Sequence, residues 1–178
     1  MPERAASAAI PGVLTLFLLS CTTSRLSDSF LEEGYRASRS TPVQYRAPTG
    51  WLEVPPEEWT SDVELWLVSP EFQQSMEMRL ITLDGGGGEE LMPESVARLR
   101  AGSLHDEGQT VVDSLYALIE GDRTFWSYSS SNTAGVLQCV SLFVAGNKYL
   151  EARMLLRSRA DAERMSVLYR EFLGALRW

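Results

Sequence analysis

Apolar and polar residues alternate along several stretches of this chain and recur at helical spacing along two others. Residues 63–68 place Val63, Leu65 and Leu67 on one face. Residues 76–83 place Met76, Met78 and Leu80 on one face, with Glu77 and Arg79 on the other. Residues 110–120 group Val111, Leu115, Ala117 and Ile119 against Val112, Tyr116 and Leu118, and the aromatic stretch 124–129 follows. A period of two with β-branched and aromatic residues predicts strands.

Residues 136–145 differ, because both faces are apolar. Leu137, Cys139, Phe143 and Ala145 lie on one side; Val136, Val140, Leu142 and Val144 lie on the other. A strand apolar on both faces is covered on both, which predicts an interior strand. Gly146-Asn147 then supplies a tight turn, and 149–156 returns as the second arm of a hairpin.

Two segments carry the helical period. Pro93 opens a helix over 93–105, with a thin stripe of Val96, Leu99 and Leu104. The second covers 159–176 with a broad face of Ala162, Met165, Leu168, Tyr169, Phe172, Leu173 and Leu176. Ser158 and Asp161 resemble a capping box for it. The order β-β-α-β-β-β-β-α with a two-faced strand predicts an α/β (α+β) fold: an antiparallel sheet flanked by helices, an α/β/α sandwich.

The N-terminus follows another rule. No charge occurs from Ala5 to Ser24, and Val13 to Leu19 forms a compact apolar run ending at Ser20-Cys21. Such a run is short for a bilayer span, which needs about 20 predominantly apolar residues, and suits a secretory signal. Leu18-Leu19-Ser20-Cys21 resembles the lipobox of bacterial lipoproteins. The resemblance implies that the Cys21 thiol receives a diacylglycerol and that Ser20 is the last residue removed. An ordinary signal with an incidental Cys, or an uncleaved anchor helix, are the other readings. Thr22, in place of an Asp, tilts the destination toward the outer membrane, facing the periplasm. The expected organisation is a signal peptide over 1–20, a lipidated Cys and flexible tether over 21–45, and one α/β domain over 46–178. Within the tether, Phe30, Leu31 and Tyr35 suit one short helix.

The element order, opened by Ala47-Pro48-Thr49-Gly50-Trp51 and closed by a hairpin and an amphipathic helix with an aromatic tail, resembles the PsbP/DcrB superfamily. That likeness implies a PsbP-like sandwich that is mostly non-catalytic and binds protein partners, often at membranes. It carries no functional residue set onto this chain.

Composition narrows the rest. With 44% hydrophobic and 22% charged residues the chain is neither disordered nor a multi-span membrane protein. A net charge of -8 argues against nucleic acid as a partner. The acid is uneven: residues 47–97 hold eleven acidic residues and one Arg, whereas the chain from Lys148 onward holds seven basic and four acidic. That asymmetry fits a solvated surface, or an acidic face that meets a basic partner or repels anionic lipid. The loop Asp84-Gly85-Gly86-Gly87-Gly88-Glu89-Glu90 lacks the Lys and Ser/Thr of a phosphate cradle and the alternating acids of a calcium loop. His105 is the one imidazole, and no nucleophile elbow accompanies it. Cys139 reads as a buried filler. Trp51, Trp59, Trp66, Trp126 and Tyr128 suit a core more than a ligand groove, with Trp59 the most exposed.

These readings converge on a non-enzymatic, lipid-anchored cell-envelope lipoprotein that binds a protein partner or acts as an accessory module. It holds the membrane through acylated Cys21 and uses no cofactor or metal. A small-molecule or lipid carrier with a pocket between sheet and helix is the alternative, and an envelope hydrolase using His105 is a third.

Overall fold

The computed structural model describes residues 30–82, 92–104, 108–145 and 148–177. Short strands β1 (Arg36–Ala37) and β2 (Gln44–Tyr45) pair with each other. Then follow β3 (Leu52–Glu53), β4 (Val63–Val68), β5 (Gln74–Thr82), α1 (Pro93–Ser103), β6 (Gln109–Glu120), β7 (Arg123–Asn132), β8 (Leu137–Ala145), β9 (Lys148–Leu156) and α2 (Ala162–Ala175). The seven strands β3 to β9 form one antiparallel sheet in the order β3-β4-β5-β9-β8-β7-β6. The predicted strands and both helices are present, and the fold is the expected antiparallel sheet with a helix on each face.

Each face of the sheet has its own core. On one, Leu65, Leu67, Met76, Met78, Phe125, Leu150, Ala152, Met154 and Leu156 meet α2 through Met165, Leu168, Tyr169, Phe172 and Leu173. Burying each such α2 side chain contributes about 1.5–3 kcal/mol. On the other face, Val96, Ala97 and Leu104 of the α1 segment pack on Tyr128, Val140, Leu142 and Tyr149. Strand β8 serves both: Leu137, Cys139 and Phe143 join the α2 side, and Val140, Leu142 and Val144 the α1 side. It is an interior strand as expected, although the middle position belongs to β9.

Four expectations need correcting. The folded part begins before residue 46: Leu31, Val43 and Tyr45 are buried in the α2-side core, and β2 is held by Gln44 and Arg177 exchanging backbone hydrogen bonds of 2.7 and 2.9 Å. Residues 30–45 are therefore not tether, and Arg36–Ala37 is a strand where a short helix was expected nearby. Leu99 is 75% exposed, because α1 turns Val96, Ala97, Arg100, Ala101 and Leu104 toward the sheet instead. Residues 159–161 form a 3-10 turn ahead of α2, and Ser158 Oγ accepts from the Ala160 amide at 3.2 Å, so the capping box does not form on α2 itself. Strand β6 forms one edge of the sheet, and Val112, Tyr116 and Ile119 are exposed on it.

The Gly146-Asn147 turn of the β8–β9 hairpin lies outside the described residues. No helix among the described residues is long and apolar enough to cross a membrane.

Candidate functional site

Two features stand out, a grid of charges on the α1 side of the sheet and a groove at one end of the fold. The grid comes from a repeated tripeptide. Strand β5 carries Glu77-Met78-Arg79 and strand β9 carries Glu151-Ala152-Arg153. The strands run antiparallel, so Glu77 faces Arg153 and Arg79 faces Glu151. Opposite charges directly across a sheet attract, so this register is favoured over its neighbours.

Within each strand the Arg also folds back on its own Glu: Arg79 Nε donates to Glu77 Oε1, and Arg153 Nε donates to Glu151 Oε1. Arg79 Nη1 reaches Asp62 Oδ2 at 3.1 Å, and Arg100 Nε of α1 reaches Glu151 Oε2 at 3.1 Å. Glu151 is fully buried and receives two guanidinium groups. Arg100 also donates to Ser103 Oγ at 2.8 Å, which fixes its direction. The Asp62 carboxyl is held below its ordinary value, chiefly by the Thr60 hydroxyl at 2.7 Å and further by Arg79, against the opposing effect of burial. Burial pulls the Arg79 guanidinium down, but Glu77, Asp62 and Glu151 outweigh it and leave it raised. Three carboxylates and three guanidinium groups satisfy one another here, which suits holding α1 to the sheet rather than moving protons.

The groove lies between the N-terminal segment, the β4–β5 turn and the start of α2. It comprises adjoining hollows of about 380 and 330 Å³ that share Thr49, Trp51, Arg164 and Met165. One end is walled by Phe30 and Leu168, the other by Ser69 to Gln74 and Asp161. The Arg164 guanidinium sits 5.9 Å over the Phe30 ring, and the Phe30 amide donates to Glu171 Oε2 at 3.1 Å. The groove is open along its length. It skirts the packed core between sheet and α2, whereas a carrier was expected to hold its ligand inside that layer.

The β4–β5 turn is tightly built. Ser69 is buried, and its Oγ accepts from the amides of Gln73 and Gln74, each at 3.2 Å. The Phe72 amide donates to Ser69 O at 2.9 Å, and the Arg157 amide to Gln73 O at 3.1 Å. Phe72 itself is 62% exposed with φ 55, a left-handed conformation unusual for a bulky residue.

The sequence-expected sites are distributed as follows. Ser20, Cys21, the Asp84–Glu90 loop and His105 lie outside the described residues. Cys139 is half-buried against the α2-side core rather than fully buried, its Sγ 3.7 Å from Ser129 Oγ, and burial pushes its thiol up despite that hydrogen bond. Tyr128 is buried and Trp126 half-buried in the α1-side core. Trp51 is half-buried in the groove, and Trp59 is half-buried and pinned by Nε1 donating to Val54 O at 2.9 Å. Among the described residues no group of three His, Cys, Asp or Glu is arranged for a metal ion. The charge grid was not foreseen as a unit, although the two Glu-x-Arg tripeptides are its signature. Phe72 left no signal in the sequence.

No family model matches the chain, and no curated protein matches it. Solved structures do. The chain is similar to the cyanobacterial PsbP, CyanoP, of Synechocystis sp. PCC 6803, at TM-score 0.60 and 11% identity, covering 90% of this chain and 98% of that one. It is also similar to a protein of Bacteroides thetaiotaomicron VPI-5482, at TM-score 0.52 and 11% identity, covering 79% of this chain and about half (47%) of that one. The fold is therefore PsbP-like.

Proposed function

We propose that the chain is a lipid-anchored lipoprotein of the bacterial cell envelope that works as a non-catalytic partner-binding or accessory module, at the outer membrane facing the periplasm. The observation that carries this reading is the Leu18-Leu19-Ser20-Cys21 sequence at the end of an uncharged apolar run, nine residues before Phe30, where the described fold begins. A PsbP-like fold fits an accessory, non-catalytic module. The charge grid fits the same reading, since its acids and bases neutralise one another. One acyl chain gives only marginal membrane binding, so the two or three carried by a mature lipoprotein Cys would hold firmly.

The test is Cys21→Ala in cells fed labelled palmitate. Loss of label and release from the membrane fraction is the expected result; unchanged label and fractionation overturns the anchor. Recovery of a stoichiometric protein with the acylated chain tests the partner, and its absence counts against that half of the proposal.

A further inference from the structure

We propose that the β4–β5 turn is a membrane-contacting surface, with the Phe72 ring seated in the headgroup layer of the bilayer that holds Cys21. This rests on the lipoprotein reading above. Three observations carry it.

The first is reach. However residues 22–29 are arranged, the nine steps from Cys21 to Phe30 span at most about 30 Å. That is about the length of one nine-residue strand such as β9. Phe30 is thus held within about 30 Å of the lipid surface, on the groove that the 69–74 turn also borders.

The second is placement. Phe30 and the 69–74 turn are opposite ends of one continuous groove, joined by Thr49, Trp51, Arg164 and Met165. The β6–β7 turn at Gly121-Asp122 lies at the other end of the sheet, since β5 begins where β9 and β7 end.

The third is the turn itself. Its backbone is over-determined by Ser69, yet it presents a bulky aromatic ring to solvent in a left-handed conformation. Strain that the surroundings hold in place is a mark of function. A rigid exposed phenyl ring loses little freedom on entering an interface. Leu52, 52% exposed on β3 beside Trp51, adds a second apolar group on this side. One ring would not retain a protein on a membrane alone. Beside an acyl anchor its insertion is effectively intramolecular, so it sets orientation.

The experiment uses the full chain on vesicles of phosphatidylethanolamine and phosphatidylglycerol, with shallowly brominated acyl chains as quencher. Phe72→Trp and Asp122→Trp are each compared with the wild type. The quenching that Phe72→Trp adds over the wild type, with its five native tryptophans, is expected to be at least twofold that added by Asp122→Trp. Equal quenching overturns the proposal. So does quenching that depends on protein density rather than on bromine, which would indicate a second copy on Phe72. Chains in which six histidines replace residues 16–21, held on nickel-chelating vesicles, repeat the comparison without acylation. Failure of palmitate labelling then strikes the anchor, while absence of quenching in the tethered chain strikes this proposal alone.

Discussion

Arg100 of α1 and Glu151 of β9 meet at 3.1 Å on the α1 face of the sheet, and the carboxylate is fully buried. They lie 51 positions apart in sequence, so this ion pair ties a helix to the middle strand of the sheet. Removing Arg100 leaves Glu151 with Arg153 as a remaining guanidinium partner. Arg100→Ala is therefore expected to cost about 1.5–3 kcal/mol, Glu151→Leu to cost more because it strands both Arg100 and Arg153, and the double variant to lose less than the sum of the two. Urea unfolding of the single and double variants checks this, and additive losses would refute it.

Phe72→Gly separates the turn's shape from its ring. The left-handed conformation costs an L-residue roughly 1–2 kcal/mol, and Gly escapes it. Part of that gain returns as lost chain entropy in the unfolded state. The expected net effect is a rise of about 0.5–1 kcal/mol in stability. A fall in the urea midpoint would show that the ring contributes packing that its exposure does not suggest.

Two tyrosines set an alkaline limit. Burial, and then the Glu53 carboxylate, push the Tyr45 hydroxyl far above its ordinary value of 10.0, and burial does the same to Tyr169, whose hydroxyl donates to Ala152 O at 2.7 Å. Both folded-state values are raised, so the folded chain keeps protons that the unfolded chain releases. Their contribution is whole below pH 10 and fades as pH rises above it. Tyrosine absorbance followed against pH is expected to show a late step coincident with unfolding, and Tyr45→Phe to shrink it. Ionisation of every tyrosine near pH 10 with the fold intact would contradict this.

Asp62 acts in the acid range with the opposite sign. Its folded value is lowered, so its contribution is present above 3.8 and is lost as pH falls through the folded value. Thr60→Val removes the largest cause of that shift. The variant is expected to titrate Asp62 at higher pH, read by NMR of the side-chain carboxyl carbon, and an unmoved titration would assign the shift to Arg79 instead.

The strands were legible because their apolar faces alternate cleanly, and β8 declared its interior position by being apolar on both sides. Helix α2 was legible for the same reason at the helical period. Helix α1 was not fully so. Its inward stripe runs through Arg100, a residue that sequence patterning sends outward, and the burial of Arg100 depends on Glu151 far along the chain. Leu99, apolar and exposed, drew the stripe to the wrong side. The start of the domain was misplaced for a related reason: Leu31 is a single buried residue, and Val43, Tyr45 and Ala47 alternate over only five positions, too short a run to stand out from a tether. The turn at Phe72 rests on local contacts to Ser69 and on a distant one from the Arg157 backbone, and the left-handed position falls on Phe72 rather than on a Gly or Asn that would have announced it.

Strand β6 ends the sheet, and its register against β7 shifts between Val111 and Asp113 and again between Asp113 and Tyr116. A straight twelve-residue border with Val112, Tyr116 and Ile119 uncovered would be a template for fibre growth, each new copy adding its strand to the last. The two irregularities divide the register into two short runs, Gln109 to Val111 and Tyr116 to Glu120, with the acidic Asp113 standing at the interruption. Irregularities of this kind shorten the stretch of edge that an added strand could follow, which works against propagation along an apolar border.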